Sequence, residues 1–145
     1  MNITTYGKRH ILATLVGNKS AGPLYLGLST TTPNDSGSAV VEPISEYGYS
    51  RVQLSSDPDA GGTGIHLLTL DASLAKVTNP DLIMFQEARG DWGVCTYFVL
   101  YDAATGGNLI GYGAIGDGGI HPTNQTVALI RSGQLSITLN TVDDE

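Results

Sequence analysis

Val94-Cys95-Thr96-Tyr97-Phe98-Val99-Leu100-Tyr101 is the longest apolar run in the chain, and the residues on either side of it decide the fold. It carries bulky side chains on both faces, the pattern of a central strand covered on two sides. Ala103-Ala104-Thr105-Gly106-Gly107-Asn108 follows, and its Gly-Gly-Asn supplies the positive-φ residues that a hairpin loop requires. Leu109-Ile110-Gly111-Tyr112-Gly113-Ala114-Ile115 then returns as the partner strand. With a turn at Gly90-Asp91-Trp92-Gly93 ahead of it, Asp91 to Ile115 reads as turn, central strand, hairpin and partner.

Working outward, the same strand and turn signals recur. Leu24 to Thr30 alternates large and small residues and stops at the polar turn cluster Thr32-Pro33-Asn34-Asp35-Ser36-Gly37. Residues 34 to 46 lack periodicity and include Pro43, which predicts a long exposed loop. Tyr47 to Leu54 restores period-two alternation, with Tyr47, Tyr49, Arg51 and Gln53 on one side and Val52 and Leu54 on the other. After the turn-rich Asp57-Pro58-Asp59-Ala60-Gly61-Gly62-Thr63-Gly64 come two short apolar runs, Ile65 to Leu70 and Leu82 to Gln86, separated by Asn79-Pro80. Thr126 to Ile130, a turn at Arg131-Ser132-Gly133, and the alternating Gln134 to Asn140 close the pattern. One helix is expected near the start, capped by Thr4 or Thr5, with Ile11, Leu12, Leu15 and Val16 on one face and ending at Gly17-Asn18. The fold class is therefore all-β, a mainly antiparallel β-sandwich or small barrel with one short N-terminal α-helix, and residues 1–145 are expected to form one domain.

Composition narrows the function classes. Only 14% of the 145 residues are charged while 19 are glycine, which suits short strands and tight turns better than helices with solvated faces. Fourteen acidic against seven basic residues leave a net charge of −7. Lys8, Arg9, Lys19, Arg51, Lys76, Arg89 and Arg131 are dispersed, which argues against nucleic acid as a partner. The chain starts without a basic stretch followed by an apolar run, and no segment reaches the roughly 20 apolar residues of a membrane span, so a soluble, unexported protein is expected.

Chemistry finds little support in the residues. His10, His66 and His121 are the candidate general bases, and none stands in a spacing pattern with a nucleophile. Cys95, the only cysteine, sits inside the apolar run, where a thiol behaves as a small buried hydrophobe; an intrachain disulfide and a thiolate-rich zinc site are excluded by count. Asp57 and Asp59 lack the later ligands of a calcium loop, and Gly61-Gly62-Thr63-Gly64 and Asp117-Gly118-Gly119 do not continue into a phosphate-binding motif. No catalytic residue, metal or cofactor is expected. Among the aromatics, Tyr47, Tyr49 and Trp92 are the candidate interaction surface for a protein or carbohydrate partner.

Three stretches carry a resemblance: Leu24-Tyr25-Leu26-Gly27-Leu28-Ser29-Thr30-Thr31-Thr32-Pro33, Gly48-Tyr49-Ser50-Arg51-Val52, and Asp91 to Gly113. In these the chain resembles the small virion structural proteins of tailed bacteriophages commonly labelled phage tail fibre proteins. It departs from them at Glu46-Tyr47-Gly48, where members carry more glycine, and in a longer, more acidic segment from Asp71 to Arg89. The resemblance implies a non-enzymatic part of the virion, assembled in the host cytoplasm, at the tail or fibre. It implies as partners copies of itself, a trimer by analogy with fibres, and other virion proteins. The alternatives it leaves are a capsid decoration (cement) protein and a module that binds a host-surface glycan.

Overall fold

The computed structural model describes residues 1–18, 22–55, 65–71 and 76–138. After β1 (Asn2–Ile3), Thr4 caps α1 (Thr5–Leu15) by accepting the Gly7 N–H on its hydroxyl at 3.0 Å. The same hydroxyl lies 2.6 Å from the Leu109 carbonyl and 3.0 Å from that of Ile110, so cap and sheet are joined by one buried side chain.

The helix forms where expected but turns a different face inward. Gly7 is its buried residue, and a Cβ there would collide with the Ile110 carbonyl and with Ile3. At 100° per residue, Leu12 and Val16 lie roughly 140° and 180° around the helix from Gly7. Leu12, Leu15 and Val16 are accordingly exposed. Close backbone approach at a glycine, rather than the apolar stripe, decides the docking.

Among the described residues the strands form three sheets. The largest takes the order β1–β9–β8–β2–β3–β4, from β2 (Leu24–Ser29), β3 (Val52–Ser55), β4 (Ile65–Leu67), β8 (Tyr97–Tyr101) and β9 (Leu109–Ala114); its pairings are antiparallel except β3 with β4. The others are β10 (Val127–Ile130) with β7 (Ile83–Glu87), and β11 (Ser136–Thr138), β6 (Lys76–Thr78) and β5 (Thr69–Asp71), all antiparallel. Leu26, Leu28, Val52, Leu54, Phe98, Leu100 and Ile110 of the large sheet pack with Ile83, Phe85, Ala128, Ile130 and Leu135 to make the main core. Val99, Tyr101 and Leu109 form a second cluster with Val40 and Tyr112. The central strand β8 is thus covered on both faces, as its unbroken apolar run requires. Its hairpin to β9 turns with Gly106 and Gly107 at φ of 60° and 76°.

Asn79 is fully buried and ties the smaller sheets together. Its amide donates to the carbonyls of Asp81 at 2.9 Å and Arg131 at 3.0 Å, and its side-chain oxygen accepts the Leu135 N–H at 3.0 Å. The strand expected over Tyr47 to Leu54 is shorter than its alternation predicts. Ser45–Tyr47 is a 3₁₀ turn, Gly48 adopts φ of 84°, and extended pairing begins at Val52. A left-handed residue cannot continue a pleat, so Tyr47 and Tyr49 fall on different sides. The turn from Asp57 to Gly64, the side chain of His66, and Leu139-Asn140 of the last strand lie outside the described residues.

Candidate functional site

Within residues 34 to 46, expected as a long exposed loop, Ala39 and Val41 instead fold back onto Ser29, Thr30 and Thr31 at the end of β2. Thr30 N–H donates to the Val41 carbonyl at 2.9 Å. The buried Ser29 hydroxyl accepts from the N–H groups of Thr31 and Val41, both at 3.2 Å, and donates to the Thr31 carbonyl at 2.8 Å. Thr31 Oγ1 donates to Ala39 at 2.6 Å, and Asn34 Oδ1 accepts the Ala39 N–H at 3.0 Å. Pro33 and Pro43, which donate no backbone hydrogen bond, are buried without leaving an unpaired N–H.

This folding delivers Glu42 to Arg51. Arg51 Nε and Nη2 grip the two carboxylate oxygens at 2.9 and 2.8 Å, and Nη1 donates to the carbonyls of Ala103 and Gly106, both at 2.8 Å. The guanidinium lies over the Tyr101 ring, 3.6 Å from its centroid. The Arg51 side chain is 6% exposed and that of Glu42 22%. One cation therefore binds the folded-back loop, the start of β3 and the β8–β9 hairpin loop together. The bidentate fork suits arginine and not lysine.

Tyr49 completes the group. Its hydroxyl donates to Glu42 Oε1 at 2.5 Å and accepts the Leu28 N–H at 3.0 Å. Burial, then the charge of Glu42, pushes its pKa far above that of a free tyrosine, so it remains a donor. Burial opposes the charge on Arg51, but the hydrogen bonds and charge of Glu42 outweigh it and raise the guanidinium pKa. Gly27 leaves room for this cluster, since a Cβ there would stand 2.5 Å from the Tyr49 hydroxyl and 2.7 Å from Glu42 Oε1.

The three aromatics singled out from the sequence meet, but in different roles. Tyr49 and Trp92 are core residues, 8% and 4% exposed, packed edge to face with centroids 5.3 Å apart. Trp92 Nε1 donates to the Tyr47 carbonyl at 2.8 Å, which fixes the 3₁₀ turn. Tyr47 itself is 40% exposed, over Gly90. It borders an open groove of about 580 Å³, with Val41 and Ile44 on its own segment and Asp91, Trp92 and Val94 on the other. Val41, Ile44 and Val94 are exposed apolar residues.

At the groove's rim Asp91 Oδ1 accepts the Gly93 N–H and stands 2.7 Å from His121 Nε2. The Gly93 N–H, then the His121 contact, holds the Asp91 carboxyl below the usual carboxylate range. Cys95 is fully buried, and burial, followed by the charge of Asp91, pushes its thiol up to about 11. His10 lies on α1. No group of three metal-ligating side chains occurs among the described residues. No helix among them is long and apolar enough to cross a membrane.

Residues 2–138 match the family model described as podophage GP4 fiber I protein gp80. The chain belongs to that family. It is a structural protein of a phage virion, of the fibre type, and associates with other virion proteins. No curated protein matches it. Within this family member, the three stretches that carry the resemblance are the ones the clamp unites: β2 with Gly27, the Tyr49–Arg51 segment, and the β8–β9 hairpin. Glu42 was missed from the sequence because it falls in a stretch without periodicity. The available signal was Arg51, a lone cation entering a strand whose neighbours are buried.

Proposed function

We propose that this fibre-family protein is a tail- or fibre-associated subunit, folded as one domain over 1–145, that assembles as a homo-oligomer in the host cytoplasm and has no enzymatic activity. The observation that supports this is the Glu42–Arg51 clamp beside the groove: buried polar groups are spent on holding surface loops in one shape. A rigid loop surface loses little conformational entropy when a neighbour docks, which is the property a permanent structural contact needs. Cryo-electron microscopy of intact particles tests the station. Density for the chain at the tail is expected, and density on the capsid lattice, as for a decoration (cement) protein, would overturn the tail assignment.

A second reading is favoured by one observation, the half-exposed Tyr47 ring bordering a groove at whose rim stands the exposed Asp91 carboxylate. An aromatic face with a nearby acceptor suits a sugar ring, so the groove is proposed to take a host-surface glycan, with Trp92 and Tyr49 as its support. Binding of the assembled protein on a glycan array, lost in Tyr47→Ala, is the expected result. Silence of the wild-type array would remove this reading.

A further inference from the structure

The β7–β10 ribbon carries apolar side chains on both faces. Ile83, Phe85, Ala128 and Ile130 point into the core. Met84, Val127 and Leu129, with Leu82 just before β7, are each between 41% and 51% exposed. Met84 stands opposite Leu129 in the ladder. A sheet with one face in water alternates apolar with polar, and apolar residues on both faces mark a sheet covered on both. These four side chains leave roughly 300 Å² of apolar surface open, a size at which a patch on a soluble monomer is often functional.

The charges at the ends of the ribbon suggest what covers it. A register shift places Glu87 opposite Val127, hence on the outer face at one end. Arg131, exposed, follows Ile130 directly at the other end, one residue past the end of β10. Neither strand holds a charged residue between these ends, and Asp81 lies beyond Leu82 in the bend that Asn79 holds. In a chain of net charge −7, identical copies repel unless the contact is free of surplus acid. Glu, apolar centre, Arg is such a layout. It is self-complementary under a two-fold axis, because an antiparallel second ribbon brings each Glu87 to the other's Arg131.

We infer that the outer face of the β7–β10 ribbon is a two-fold self-association surface whose occupant is a second copy of this chain. This rests on the homo-oligomer proposed above and adds its contact face and symmetry, joining copies in pairs. The patch forms the centre of an interface, and the surrounding rim brings it toward the roughly 800 Å² per partner of a stable contact.

Sedimentation velocity of the full chain from about 1 to about 100 μM tests it. Wild type is expected to dimerise. Leu129→Lys sets two ammonium groups against each other and is expected to weaken dimerisation on the order of 100-fold. Glu87→Arg alone is expected to weaken it about tenfold, with recovery to near wild type in Glu87→Arg/Arg131→Glu. Leu15→Lys, on the exposed helix face, is expected to change nothing. Unfolding midpoints identify any variant that fails to fold, and the charge swap with its rescue does not depend on the lysine variant. If wild type associates while Leu129→Lys and the charge variants associate equally well, or if the assembly is three-fold, the surface is wrong and the homo-oligomer stands. A wild type that stays monomeric throughout overturns both.

Discussion

Glu42→Gln keeps the shape of the clamp and removes its negative charge, which makes it the sharpest probe of what Arg51 does. The glutamine carbonyl still accepts one hydrogen bond, but the guanidinium is left without a counter-charge at 6% exposure. Stranding one partner of a buried pair costs about 3–5 kcal/mol, and the retained hydrogen bond argues for the low end, about 3 kcal/mol. For a chain of 145 residues that corresponds to a fall in Tm of about 9 °C. Urea denaturation followed by Trp92 fluorescence gives the free energy directly, with the slope m expected to stay unchanged. Arg51→Met and the double variant close a cycle. The double loss should be smaller than the sum of the singles by more than about 1 kcal/mol, because no lone charge is left buried. A loss below about 0.5 kcal/mol for Glu42→Gln, or singles that simply add, would refute the clamp.

Gly7→Ala should cost about 2 kcal/mol or more, since its Cβ meets the Ile110 carbonyl, and circular dichroism should show reduced helix if α1 lifts off the sheet. Asp102 gives a pH dependence: burial raises its pKa, but hydrogen bonds from the Asn108 backbone and side chain and from Tyr6 outweigh this and leave it lowered. Its contribution is then fully present above the unfolded value of about 3.9 and lost as pH falls through the lower folded value, so Asp102→Asn should flatten the stability curve on the acid side, as urea titrations from neutral to acid pH would show. The Cys95 thiol, buried and raised to about 11, should resist a thiol reagent at neutral pH and react at once in denaturant; rapid labelling of the native protein would contradict its placement.

The β8–β9 hairpin was legible because every local signal there agrees: two-faced apolar run, glycine pair, glycine-spaced return. The helix was legible in extent and not in orientation, since no periodicity announces that the Ile110 carbonyl needs the space beside Gly7. Tyr47 to Arg51 misled for a related reason. Alternation treats each residue as a pleat, and one left-handed glycine at 48 reverses the sides of all that precede it. At the candidate site, Tyr47, Tyr49 and Trp92 do stand together, but their division into one exposed ring and two core rings depends on the Trp92–Tyr47 hydrogen bond across 45 positions. Glu42 was invisible because an acid in an aperiodic loop looks solvated until its partner is known.

The pairing of β1 with β9, and the Thr4 hydroxyl resting on Leu109 across 105 positions, also set an order of events during synthesis. The first strand and the helix cap leave the ribosome well before the residues that receive them, so their docking waits until the hairpin has emerged. Closing so long a loop costs entropy before any contact repays it, which predicts a slow final step in which the amino-terminal segment locks onto a sheet already formed by the later strands.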